Sequence, residues 1–212
     1  MLLYKKEFIQ YALDCGVLKF GYFQLKSGRT SPYFFNTGLF NTGARLDKLG
    51  QFYARTLIES GLQIDILYGP AYKGIPLVSA TSIAYSRMKQ DIPFAFNRKE
   101  AKDHGEGGVL VGSPLQGKVL ILDDVITAGT SVRESIEIIS MAGAEPAGVL
   151  IALDRQEKGQ NEKSAVQEVE ETYGIPVVSI ISLEDIIEFL ELDDSSYSQL
   201  EIIREYRQQY GI

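Results

Sequence analysis

The chain has no tryptophan, one cysteine (Cys15) and one histidine (His104) among its 212 residues. A lone cysteine excludes an internal disulfide framework and fits a reducing compartment. Cys15 and His104 together cannot supply the four ligands of a structural zinc site. No run approaches the ~18 consecutive apolar residues that a membrane-spanning helix needs. The opening MLLYKKEFIQYALDCG places its charges after the first apolar residues and lacks a small-residue cleavage site, so it reads as a helix and not as a signal peptide. The expected setting is the cytoplasm, with no membrane partner.

Positive charge is also short, with 21 Lys+Arg against 28 Asp+Glu and a net charge of −7. Nucleic-acid binding demands clustered cations, so an acidic chain makes a poor partner for a phosphate backbone. The charge is unevenly spread: residues 1–104 carry 14 basic and 8 acidic groups, residues 105–212 carry 7 and 20. A basic half on an acidic chain suits a small, highly phosphorylated ligand. Solvated acidic faces on helices 161–174 and 183–210 are the other reading of the same counts.

What is present is ordinary globular material, 45% hydrophobic and 23% charged. The length predicts one domain with an embellishment, burying roughly 70% of its unfolded surface without help from metals or disulfides. A first helix runs to about Asp14, with Phe8, Ile9, Ala12 and Leu13 at helical spacing and Gly16 as its stop. GYFQLKSGRTSPYFFNTG reads as two short strands around a turn. Residues 45–60 form an amphipathic helix with Leu46, Leu49, Phe52, Tyr53 and Leu57 on one side.

From residue 64 onward short apolar strands alternate with helices. The strands are 64–70, 94–97, 109–112, 118–122, 148–154 and 175–181. The helices are 74–88, 131–142, 161–174, 183–192 and 197–210. Such alternation predicts βαβ units and an α/β fold with a parallel sheet flanked by helices. Residues 1–44 depart from it and are expected to form a small hood. The organisation expected is a single domain: hood 1–44, α/β core 45–192 with a charged loop at 98–108, and a C-terminal helix in 193–212.

The chemistry concentrates in VLILDDVITAGTS (119–131). A buried strand ends in Asp123 and Asp124, a loop of small and hydroxyl-bearing residues follows, and a helix begins. Ligands of open α/β sheets sit at strand carboxyl ends, and a helix N-terminus offers unsatisfied N–H groups to an anion. Gly129 permits close backbone approach, while Thr127, Thr130 and Ser131 add hydroxyl donors. Two acids beside a phosphate cradle make sense if they face hydroxyls or a developing positive charge, which points to a phosphorylated sugar. A capped helix with two solvated acids is the plainer reading. No G-x-x-x-x-G-K-[ST] occurs, and GEGGVL (105–110) lacks the third glycine of a dinucleotide fingerprint and precedes its strand.

The 119–131 segment resembles the signature of type I phosphoribosyltransferases, which use 5-phosphoribosyl 1-diphosphate (PRPP). GYFQLKSGRTSPYFFNTG, GPAYKGIPL and FNRKEAKDHGEGG are similar to the orotate phosphoribosyltransferase branch, the bacterial form most of all, and the resemblance runs from about residue 8 to 190. It implies Mg²⁺-dependent transfer of ribose 5-phosphate from PRPP to N1 of orotate in pyrimidine biosynthesis. The magnesium would be carried mainly by PRPP, with no direct protein ligand assigned. Asp123 and Asp124 would contact the ribose hydroxyls and favour an oxocarbenium-like transition state. Val125, Ile126, Thr127, Ala128, Gly129, Thr130 and Ser131 would hold the 5′-phosphate, and Tyr72 and Lys73 the diphosphate side.

Arg98, Lys99, Lys102 and His104 would act from the charged stretch as a lid, Lys102 being the most rate-relevant. That lid would complete the neighbouring subunit's site in a homodimer. Without the resemblance the stretch reads as a charged surface loop and His104 as an exposed loop residue. Lys26 would serve both substrates. With Phe34, Phe35, Thr127 and Arg155 it would form the orotate pocket, Arg155 gripping the carboxylate bidentately. By pattern alone Phe34 and Phe35 read first as core. A purine or uracil phosphoribosyltransferase would not need Lys26, Phe34, Phe35 and Arg155 together. A PRPP-sensing regulator would need a nucleic-acid surface that this chain lacks room for.

Overall fold

The computed structural model describes residues 1–25, 28–102, 108–126, 129–159, 162–192 and 196–212, with only the backbone of Ala101, Lys102 and Gly108. The first helix, α1 (Leu3–Asp14), buries Tyr4, Phe8, Ile9 and Ala12. It leads into an antiparallel pair, β1 (Leu18–Gln24) and β2 (Thr30–Phe35), with Leu18 opposite Phe35 and Gln24 opposite Thr30. A 3-10 turn at Thr37–Leu39 follows. Helix α2 (Gly43–Ser60) is then capped by the Thr42 side chain, which accepts from the Arg45 N–H.

The main sheet contains β3 (Ile66–Gly69), β4 (Phe94–Lys102), β5 (Gly108–Gly112), β6 (Lys118–Leu122), β7 (Glu145–Asp154) and β8 (Val177–Ser182), in the order β5-β4-β3-β6-β7-β8. The intervening helices are α3 (Gly74–Met88), α4 (Thr130–Met141), α5 (Ala165–Tyr173) and α6 (Leu183–Leu190). A last helix, α7 (Tyr197–Tyr210), ends the chain. Five of the strands are parallel, and β5 is an antiparallel edge paired with β4. The apolar run VLVG carries no mark of strand direction, which is why sequence reading placed it in an all-parallel sheet.

Side chains alternate across the central strands. Leu67, Leu120, Leu122 and Leu150 face a core completed by Phe8, Leu49, Phe52, Tyr53 and Val78, from α1, α2 and α3. Ile66, Tyr68, Val119, Ile121 and Val149 face a second core with Val132 and Ile139 of α4 and Val169 of α5. With both faces covered, ligand access is left to the strand ends. No helix among the described residues is long and apolar enough to cross a membrane.

Candidate active site

Parallel strands deliver their carboxyl ends to one edge. Here that edge collects the turn after Gly69, Asn97 of β4, Asp123 after β6 and Arg155 after β7. The turn 70–74 is tight because two glycines face each other. A Cβ on Gly69 would stand 2.2 Å from the Gly74 carbonyl oxygen, and one on Gly74 would stand 2.6 Å from Pro70 Cδ. The Ala71–Tyr72 peptide within it is cis. Asn97 Oδ1 accepts from the Ala71 N–H at 2.8 Å, tying this turn to β4. Overpacking against backbone costs about 1–3 kcal/mol. Gly74→Ala is therefore expected to lower the melting temperature by about 2–12 °C in a thermal melt, at about 2–4 °C per kcal/mol for a chain of this size.

The acid pair is buried, Asp123 8% and Asp124 6% exposed. The Asp124 N–H donates to Asp123 Oδ1 at 2.8 Å, and the buried Tyr53 hydroxyl donates to the Asp123 carbonyl at 2.8 Å. Asp124 Oδ2 accepts from Thr37 Oγ1 at 2.9 Å and from Lys73 Nζ at 2.5 Å. The two carboxylates therefore differ. Asp124 is neutralised by a lysine, whereas Asp123 is pushed up to about 6 from the ordinary 3.8 by burial first and by Asp124 second, with Ser131 and the Asp124 N–H opposing the rise. Thr37, Tyr53 and Asn97 were invisible to sequence reading, because each is recruited by a partner 26 to 87 positions away.

Past the pair, Val125 and Ile126 pack partly buried against the two cores. Gly129 caps α4 with φ +67°, a left-handed conformation that favours glycine, and gives no side-chain cap. The caps Thr42, Ser164 and Ser182 of α2, α5 and α6 do accept from their own helices. The first turn of α4 thus presents N–H groups to an anion, with Thr130 exposed and Ser131 half-buried beside it.

Tyr72 and Lys73 are exposed at the turn after β3. Phe34 and Phe35 leave opposite sides of β2, Phe34 stacking on Phe23 at 5.3 Å and Phe35 meeting Phe8 at 6.4 Å. Arg155 is held by Glu157 and Ser31, with Nε 2.9 Å and Nη2 2.7 Å from Glu157 Oε1 and Nη2 3.1 Å from Ser31 Oγ. Its Nε–Nη2 edge is therefore already engaged within the protein. Arg98 and Lys99 lie in β4, which runs on to pair Lys102 with Gly108. The first half of the expected charged loop is therefore strand, with the β4–β5 register shifting between Asn97 and Lys102. Lys26, His104, Thr127, Ala128 and the Lys102 side chain lie outside the described residues.

An acidic pair at the crest of a parallel sheet, with an anion seat on one side and a lysine-bearing turn on the other, defines a binder of phosphorylated sugars. A family model described as "Phosphoribosyl transferase domain" matches residues 39–180. The chain belongs to the phosphoribosyltransferase family. It is 63% identical over 212 residues to the orotate phosphoribosyltransferase of Methylococcus capsulatus, covering 100% of this chain and 99% of that one. It is 59% identical over 213 residues to that of Pseudomonas aeruginosa, covering 100% of both. The crystal structure of the Francisella tularensis orotate phosphoribosyltransferase superposes with a TM-score of 0.88 at 45% identity, over 97% of this chain and 100% of that one.

Proposed function

We propose that the chain is an orotate phosphoribosyltransferase, transferring ribose 5-phosphate from PRPP to N1 of orotate in pyrimidine biosynthesis. The carrying observation is the buried Asp123–Asp124 pair between the α4 N-terminus and the Lys73 turn, with the Arg155 cation at the same sheet edge. The names borne by full-length relatives at 59–63% identity support the same reaction. The bond from C1′ to the diphosphate oxygen breaks with its electrons leaving on diphosphate. Orotate N1 supplies the pair for the new bond, with inversion at C1′, and its proton passes to the departing diphosphate.

In this reading the backbone and hydroxyls of Val125, Ile126, Thr127, Ala128, Gly129, Thr130 and Ser131 seat the 5′-phosphate. Asp123 and Asp124 hold the ribose hydroxyls and favour positive charge at C1′. Lys73 is 63% exposed, so its pairing with Asp124 contributes about 1 kcal/mol or less. The ammonium can leave that carboxylate for the incoming diphosphate beside Tyr72. Lys26, Phe34, Phe35, Thr127 and Arg155 make the orotate pocket, Lys26 also reaching PRPP. Arg98, Lys99, Lys102 and His104 close from the β4–β5 hairpin of a second subunit over the leaving group, in a homodimer.

The donors fit a Mg²⁺ carried by substrate. No group of three or more His, Cys, Asp or Glu among the described residues is placed to cage a metal, while the ionised Asp123 gains from any nearby cation. Asp123 and Asp124 would lie beside such an ion, which would supply charge neutralisation for the leaving group. A cytoplasmic setting belongs to the same reading, supported by the free Cys15.

Arg155→Ala tests the base assignment. Losing a charge-assisted hydrogen bond costs about 1.5–3 kcal/mol. The orotate KM should rise about 10- to 100-fold, with the PRPP KM unchanged. An unaltered orotate KM would remove Arg155 from the pocket.

A further inference from the structure

The reaction leaves one element without a task, the C-terminal helix α7. Its end grips the loop that follows β7. The Lys158 N–H donates to the Tyr210 carbonyl at 2.8 Å, the Ile212 N–H to the Gln156 carbonyl at 3.1 Å, and Glu157 pairs with Gly211 in an antiparallel bridge. From the hood, Arg29 lies over the Tyr210 ring, 5.0 Å to its centroid, and donates to the Lys158 carbonyl at 2.9 Å. From α6, the Glu184 N–H donates to Gln156 Oε1 at 2.9 Å. Gln156 itself has φ +50°, a conformation that side chains rarely adopt. The loop is thus held from three directions in one shape.

Inside that clamp sits a closed polar cluster. Glu157 Oε1 accepts from Arg155 Nε at 2.9 Å and from the Tyr33 hydroxyl at 3.0 Å, and pairs with Arg155 Nη2 at 2.7 Å. Ser31 Oγ accepts from the same Nη2 at 3.1 Å, and the guanidinium lies 4.3 Å from the Tyr33 ring centroid. Tyr206 of α7 closes the far side, its ring edge-on to Tyr33 at 6.4 Å. A guanidinium has five N–H donors in a fixed plane. Glu157 and Ser31 engage Nε and Nη2, and the Tyr206 hydroxyl stands close enough to interact with the same guanidinium.

We infer that Glu157 is a positioning residue for base recognition. By occupying the Nε–Nη2 edge of Arg155, with the C-terminal strap holding it there, Glu157 fixes the orientation in which the guanidinium meets orotate. The inference deepens the proposed orotate pocket and rests on it.

The test compares Glu157→Ala, Glu157→Gln and Arg155→Ala in the full chain, reading KM for orotate and for PRPP, kcat and melting temperature. Glu157→Ala should raise the orotate KM about tenfold, with kcat and the PRPP KM within about twofold. Glu157→Gln keeps an acceptor oxygen for Nε and Nη2, and should recover most of that loss. In an Arg155→Ala background, Glu157→Ala should add nothing to the orotate KM. Should Glu157→Ala fail to fold, Tyr33→Phe removes the other donor to Glu157 and should raise the orotate KM about threefold. An orotate KM unmoved by Glu157→Ala, or by Tyr33→Phe in its place, while Arg155→Ala raises it, overturns the positioning role alone. So does an equal rise in both KM values tracking a loss of melting temperature. If Arg155→Ala leaves the orotate KM unmoved, the pocket assignment falls and the positioning role falls with it.

Discussion

Asp123→Asn is expected to cut turnover by orders of magnitude and yet raise the melting temperature at neutral pH. Asp123 titrates near 3.8 in an unfolded chain and at about 6 here, raised by burial and then by Asp124. Between those values the folded state holds the extra proton, so stability falls as pH rises through the window. Above it the ionised carboxylate costs about 3 kcal/mol, from roughly two pKa units at 1.36 kcal/mol each. An asparagine can accept from the Asp124 N–H as Asp123 Oδ1 does, and its amide can donate to the Ser131 hydroxyl. The gap in melting temperature should open from near zero at pH 4 to about 5–10 °C at pH 8. Turnover should fall about 10²- to 10³-fold, because the proposed role of Asp123 is to place negative charge at C1′. A variant less stable than its parent at pH 8, or a gap indifferent to pH, would mean that Asp123 is not a strained carboxylate held for substrate.

Lys102→Ala should lower kcat about 10²- to 10³-fold while leaving the PRPP KM within a few-fold, the mark of an interaction made in the transition state. Lys102 ends β4 opposite Gly108, at the far end of a hairpin that stands at the sheet edge. In the proposed homodimer this hairpin reaches a second subunit's acid pair. Mixing Lys102→Ala and Asp123→Asn chains separates reach across subunits from reach within one. If the arm crosses, each hybrid dimer contains one intact site, and statistical mixing returns about a quarter of the activity of the parent. If the arm serves its own subunit, every hybrid site carries one defect and no activity returns. Equal losses in kcat/KM through the PRPP KM alone would make Lys102 a ground-state binder.

The strand β6, the acid pair and the start of α4 were legible because their signal is local: strand, two acids, small residues and helix occur in thirteen consecutive positions. The helices were legible for a similar reason, α7 at 197–210 to the residue, since an apolar stripe needs only its own sequence. What escaped depends on distant partners. The direction of β5 is set by its β4 neighbour, and β4 runs on through Arg98 to a pairing of Lys102 with Gly108 that a charged sequence does not advertise. The start of β7 at Glu145 includes Pro146 and Ala147, which no apolar pattern marks. Thr37 reaches Asp124 from the hood, and Asn97 reaches Ala71 from the next strand. Glu157 reads in sequence as one more surface acid. Only the fold shows it turned inward against Arg155 and Tyr33, its side chain 12% exposed.

The most direct test of the central claim is the loss of orotate absorbance with PRPP and Mg²⁺, run beside uracil, adenine and hypoxanthine. The result expected is consumption of orotate alone, with one diphosphate released per orotate consumed. Turnover of a neutral base in its place would contradict the carboxylate-reading role given to Arg155 while leaving the sugar-phosphate site standing. PRPP binding without turnover of any base would contradict the assignment of the chain as a transferase.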